Sequence, residues 1–159
     1  MTDLVAFVRA CLDEDERVAR AAIRPERIDG WANPPLPADS GHWVVKSEVS
    51  EIDDPDDWYA IEDEQSREIV VYNESRPDSD QAAHIARHDP ARVLAEVAAK
   101  RKLLLAYNSA VIDEGLFHRQ TDSVAYHQAV ARVSAWTYVV QQLAQPYAGR
   151  PGWREEWRA

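Results

Sequence analysis

Cysteine is almost absent: Cys11 is the single one in 159 residues. No internal disulfide can form, which excludes a disulfide scaffold and fits a reducing compartment. Long apolar runs are missing too. None reaches the 18 to 20 residues of a membrane span, and the first segment, MTDLVAFVRACLDEDER, carries acids where a signal peptide has an apolar core. The expected location is therefore cytoplasmic, with no membrane partner. Basic residues are in deficit, 18 Lys and Arg against 28 Asp and Glu, for a formal net charge of −10. Non-specific nucleic-acid affinity comes from Lys and Arg neutralising phosphates, so direct nucleic-acid binding is not expected. Organised catalytic signatures are lacking as well. There is no phosphate-binding GxxxxGK[ST] loop, no GxGxxG, no GxSxG and no CxxC pair.

Tryptophan, by contrast, is abundant: Trp31, Trp43, Trp58, Trp136, Trp153 and Trp157. Each can bury on the order of 200 Å² and anchor a core or an interface. The length suits one domain over 1–159, able to fold without a staple. Residues 3–23 read as an amphipathic helix. Leu4, Val8, Cys11, Leu12, Val18, Ala19 and Ala22 recur at spacings of three and four. Cys11 in that stripe reads as a buried small hydrophobe. Residues 24–41, punctuated by Pro25, Gly30, Pro34, Pro35, Pro37 and Gly41, read as a loop pinned by Trp31.

A β-meander is expected over 42–73. Strands start at His42 and Trp58 and lie over Glu68–Tyr72, rich in β-branched and aromatic residues and separated by acidic turns. The helical part, 80–146, follows. A short helix over 80–88 should stop before Asp89-Pro90, because the residue before a proline avoids helical backbone. Asp89 then serves as a structural cap for a new helix with Pro90 at its first position. That helix is expected from 90 to about 108, extending to 113, with Val93, Leu94, Val97, Leu104 and Val111 inward. Residues 114–121, with Gly115, read as a connection. A last long helix over 122–145 carries Val124, Val130, Val133, Ala135, Trp136, Val139, Val140 and Leu143, and ends at Pro146. Residues 147–159 form an aromatic tail. The fold class is α+β: a three-stranded antiparallel sheet packed against the N-terminal helix and two long C-terminal helices.

Three features offer chemistry. His84 and His88 are four apart, so on a helix both imidazoles share a face, a geometry for two metal ligands. A metalloprotease motif is not complete, because Ile85 stands where the catalytic Glu would follow the first His. Further ligands would have to come from His118, His127 or a carboxylate. The bland reading is that both imidazoles pad a helix junction. The acids of 48–80 read as solvated turns, or as a phosphate-imitating surface, or as a divalent-cation site. The tail residues Trp153, Arg154 and Trp157 read as a docked closure of the core, or as a hook for a protein partner, since Trp and Arg are favoured at binding hot spots.

Three segments together resemble a known family. They are Asp3-Leu4-Val5-Ala6-Phe7 with Leu12-Asp13-Glu14-Asp15-Glu16, then His84-Ile85-Ala86-Arg87-His88-Asp89-Pro90-Ala91-Arg92-Val93-Leu94 with Glu96 to Arg101, and Gln145-Pro146-Tyr147-Ala148 with Pro151-Gly152-Trp153-Arg154-Glu155-Glu156-Trp157. The pattern resembles domain-of-unknown-function family 6221, small proteins of actinobacteria and their phages with no assigned activity. The resemblance implies a bacterial or phage accessory protein. It also implies a Cys-rich stretch and a His before the tail proline in many members. Here 107–137 has no Cys and Arg150 takes the His position, so most ligands that the family would use for zinc are missing; no cofactor is expected, with zinc as the alternative. The leading expectation is a non-enzymatic protein that binds another protein. The alternatives are metal binding or catalysis at His84 and His88, and an acidic nucleic-acid mimic. The sequence names no partner, substrate or oligomeric state.

Overall fold

The structure is a computed structural model that describes residues 1–23, 41–48, 58–65, 69–71, 77, 79–118, 121 and 123–158. Of the loop expected over 24–41, residues 24–40, with Trp31, lie outside the described residues, as do the turn at 53–57 and most acids of 48–80. Among the described residues, four α-helices and three strands run in the order α1 (Thr2–Ile23), β1 (Trp43–Glu48), β2 (Trp58–Asp63), β3 (Ile69–Val71), α2 (Ser79–Arg87), α3 (Pro90–Phe117) and α4 (Val124–Ala144). Short 3-10 turns follow at Gln145–Tyr147 and Glu155–Trp157. Among the described residues no helix is long and apolar enough to cross a membrane. The chain forms two compact units. One comprises Met1–Glu14 with Glu96–Ala159, the other Asp15–Ala95, so α1 and α3 each contribute to both.

In the second unit the strands form one antiparallel sheet in the order β1-β2-β3. Trp43 faces Asp63 and Glu48 faces Trp58 across β1 and β2. The β2–β3 register shifts at Ile61/Glu62. Helix α2 lies against β1 and β2. Alternate residues of a strand share a face, so Ile61 and Asp63 point the same way, and both are buried. Asp63 is therefore no member of a solvated acidic face. Its carboxylate accepts hydrogen bonds from the Gly41 N–H at 2.6 Å and the Gln65 N–H at 3.1 Å. Gly41 has φ +101°, and a Cβ there would lie 2.7 Å from Cγ1 of Ile23. Only glycine meets both demands without strain.

The Asp89-Pro90 junction is as the sequence predicts. Helix α2 stops at Arg87, and α3 begins at Pro90. The Asp89 carboxylate is buried and accepts from the Arg92 N–H at 2.7 Å, satisfying a donor the helix start leaves open. The same carboxylate lies 3.4 Å from the Trp43 N–H and 3.4 Å from Nδ1 of His42. The Ala91 N–H donates to the Gly41 carbonyl at 3.2 Å. Asp63 and Asp89 together hold the start of β1.

In the first unit, Leu4, Val8, Cys11 and Leu12 of α1 are buried, as are Val97, Leu104, Tyr107 and Ala110 of α3 and Ala129, Val140 and Ala144 of α4. Arg101 pairs with Asp13 at 2.6 Å and Arg132 with Asp113 at 3.1 Å. Helix α3 is longer than expected. It runs through Gly115 to Phe117, because one exposed glycine costs only about 1 kcal/mol in a helix. Ser123 caps α4 by accepting from the Tyr126 N–H at 3.1 Å. Pro146 falls in the 3-10 turn that ends the last helix, as expected.

Several positions expected to face inward do not. Val18, Ala22, Val111, Val124, Val130 and Ala135 are exposed. Helix α4 is apolar on nearly every side, so spacing alone cannot choose the covered face.

Candidate functional site

Helix α2 brings His84 and His88 together. Their rings sit 4.6 Å apart between centroids, tilted by 46°, and both are exposed. His88 lies just past the helix, its N–H donating to the Ile85 carbonyl at 3.1 Å. Asp89 is adjacent in sequence but its carboxylate is engaged at the start of α3. His127 is held on its own helix, with Nδ1 2.9 Å from the Ser123 carbonyl. Among the described residues no group of three His, Cys, Asp or Glu could hold a metal ion. The histidine pair thus supplies two adjacent, tilted imidazoles and, among the described residues, no third ligand from that set.

Beside the pair is an open cleft of about 510 Å³, lined by Val71 of β3, Pro77, and Asp80, Gln81, His84 and Ile85 of α2. Its walls are chiefly apolar, with Val71, Pro77 and Ile85 joined by three polar residues. The volume falls within the range of small-molecule sites, roughly 300–1,000 Å³. Asp80 and His84 are one turn apart and so share a helix face. The arrangement can take an apolar group and offer it a carboxylate and an imidazole.

The tail folds back on α1 of its own unit. Trp157 is buried, and Phe7 meets both tail indoles, at 5.9 Å for Trp153 and 5.2 Å for Trp157 between ring centroids. The two indoles meet edge to face at 5.9 Å and 88°, an arrangement favoured by the ring quadrupoles. Gln145 Nε2 donates to the Trp157 carbonyl at 3.0 Å. Arg154 stacks over Trp157 at 5.3 Å and pairs with Asp3 at 2.9 Å. Of the three tail residues, Arg154 is the one left exposed. Further out, Arg158 donates to Glu155, which holds the Glu155 carboxyl below its ordinary range and raises the Arg158 guanidinium.

A surface that the helical reading of α3 overlooked lies on that helix. Leu105, Ile112 and Leu116 are 63%, 65% and 71% exposed. With Ser109 between them they recur at spacings of four, three and four, the period of a helix-pairing seam. The signal was in the sequence: α3 carries two apolar stripes, and only one can turn inward. Isolated exposed leucines are ordinary on a protein surface; here three large apolar side chains share one helix face, with Ser109 between them.

Comparison with curated proteins and with solved structures finds no match. One family model does match, over residues 1–159. The chain therefore belongs, along its whole length, to the family of unknown function DUF6221.

Proposed function

We propose that this protein is a small accessory protein that acts by binding another macromolecule, without catalysis of its own. The observation that carries the reading is the exposed row Leu105–Ile112–Leu116 on α3. Covering such a row removes apolar surface from water at about 25 cal/mol per Å². A protein partner suits it better than nucleic acid, because the net charge of −10 repels phosphates. The setting is the cytoplasm of an actinobacterium or of a phage-infected one.

Affinity capture from an actinobacterial lysate, with mass spectrometry of what co-elutes, tests the reading. A stoichiometric partner should be retained by the wild type and by Arg154→Ala. It should be lost from the Leu105→Glu and Ile112→Glu variants, whose helix content should not change. Substrate turnover that disappears in His84→Ala, in a chain that remains folded, would replace this reading with a catalytic one.

A second reading has its own observation, the cleft beside His84. In it the cleft takes a small ligand, or the His pair a zinc ion completed by a ligand from outside. Titrating zinc against the His84 and His88 ring protons by NMR separates the two. Shifts saturating at one equivalent support the metal version, and their absence removes it.

A further inference from the structure

Helix α4 differs from the other α-helices among the described residues in its charge. In a sequence that is 29% charged, its 21 residues contain one charged side chain, Arg132, and no acid. Arg132 is taken up by Asp113 of the same chain at 3.1 Å. Yet α4 is not an interior helix. Val124 is 73% exposed and Tyr138 60% exposed, and His127, Ala131, Ser134 and Ala135 are exposed between them. Residues 124, 127, 131, 134 and 138 alternate in steps of three and four, so they form one straight stripe. Arg132 stands about 100° around the helix from Ala131 and leaves the stripe uncharged. Loss of charge with an aromatic retained is the compositional mark of an interface centre.

We propose that this stripe is a self-association surface, on which α4 of a second copy docks antiparallel about a two-fold axis at Ala131. The order of side-chain sizes is the first reason. A two-fold interface must be complementary to itself. With Ala131 on the axis, the position seven residues before it meets the position seven after it in the partner. Val124 then faces Tyr138 of the other copy at both ends. His127 faces Ala135, and Ala131 meets its own counterpart. By the same symmetry Ser134 faces Gln128, so the Val124–Tyr138 pairs sit at the two ends, each longer side chain beside the axis meets a small one, and Ala131 lets the helices approach at the centre. Charge is the second reason. Two copies each carrying −10 repel wherever acids meet. The acid-free stripe of α4 is a place where they can meet without that cost. Area sets the strength. The helix is about 31 Å long, and one pair of such helices buries less than the roughly 1,600 Å² of a standard interface. Dissociation in the micromolar range is the expected result.

Sedimentation equilibrium of the full chain over a concentration series tests the proposal. The wild type should pass from one to two chain masses around roughly micromolar concentration. Ala131→Glu sets two carboxylates against each other on the axis and should remain a monomer at concentrations 100-fold higher. Ile112→Glu, on α3, should dimerise like the wild type. Ala131→Cys should form an intermolecular disulfide under mild oxidation, since two positions on the axis come within the Cα separation a disulfide needs. Cys11 is buried and stays out of that reaction. Circular dichroism checks that each variant retains its helix content. A wild type that is monomeric throughout overturns the proposal, as does an Ala131→Glu variant that still dimerises or an Ile112→Glu variant that does not. Each of those outcomes is distinct from failure of partner capture, which reads the α3 row.

Discussion

Each of the two compact units has its own internal closure, and the two closures rest on different physics. In the unit containing the tail, Phe7, Trp153 and Trp157 close the structure through ring faces and edges between 5.2 and 5.9 Å apart. In the unit containing the sheet, two buried carboxylates, Asp63 and Asp89, collect backbone N–H groups from Gly41, Gln65, Arg92 and Trp43. The aromatic closure works chiefly through buried area, which is non-directional, with a smaller contribution from ring orientation. Its strength falls with the amount of surface removed. The carboxylate closure works through direction, and one missing oxygen leaves a buried donor without its acceptor. The comparison teaches that a conservative change can be harmless in one unit and harmful in the other.

Replacing the largest ring should give the largest effect. Trp157→Ala removes a buried indole and should cost about 3–5 kcal/mol, read as a lower urea midpoint. Trp157→Phe should recover much of it, since area matters more there than any one atom. Next comes the carboxylate unit. Asp63→Ala leaves the Gly41 and Gln65 donors without this acceptor and should cost about 1.5–3 kcal/mol in all, most of it from the buried Gly41 N–H. Asp63→Leu, similar in bulk, should not recover it. If it does, the claim that direction holds this unit is wrong. Asp89→Ala removes an N-cap and should cost about 1 kcal/mol.

A smaller effect of opposite sign is expected on α3. Gly115 is helical with nothing within 4 Å of where its Cβ would be. Gly115→Ala should stabilise by about 0.5–1 kcal/mol, visible as a raised melting temperature. Gly41→Ala should do the reverse, because of its positive φ and the Ile23 side chain.

The smallest effect belongs to the exposed tail pair. Glu155 titrates below its ordinary value chiefly because Arg158 hydrogen-bonds to it. A carboxyl depressed in the folded state contributes stability that is present above its unfolded pKa. That contribution is lost as pH falls through the folded value. Both side chains are exposed, so the acid-side change in melting should be slight. NMR titration of Glu155 in Arg158→Ala should show its pKa rising.

Much of the fold was legible because its signals are local. Asp89-Pro90 ends one helix and starts the next by steric exclusion and capping within a few residues. The stripe Leu4, Val8, Cys11, Leu12 could be read inward because the opposite side of α1 carries charges. The same reasoning failed on α4, where no charged side marks the outside. It also failed on Asp63, which in sequence is one acid among many in 48–80. Its burial follows from strand alternation with Ile61, and that needs the exact strand register.

The sequence alone places the Asp89-Pro90 break, the end of α4 at Pro146, the antiparallel meander and the acidity, but not the end of α3, which runs through Gly115 to Phe117. The features it places depend on neighbouring residues and on backbone sterics. Only the tertiary structure decided that Trp157 is covered by Phe7, that Asp63 faces inward, and that Leu105, Ile112, Leu116, Val124 and Tyr138 face water. Burial is a property of what lies opposite a side chain, and what lies opposite comes from residues far away in the chain.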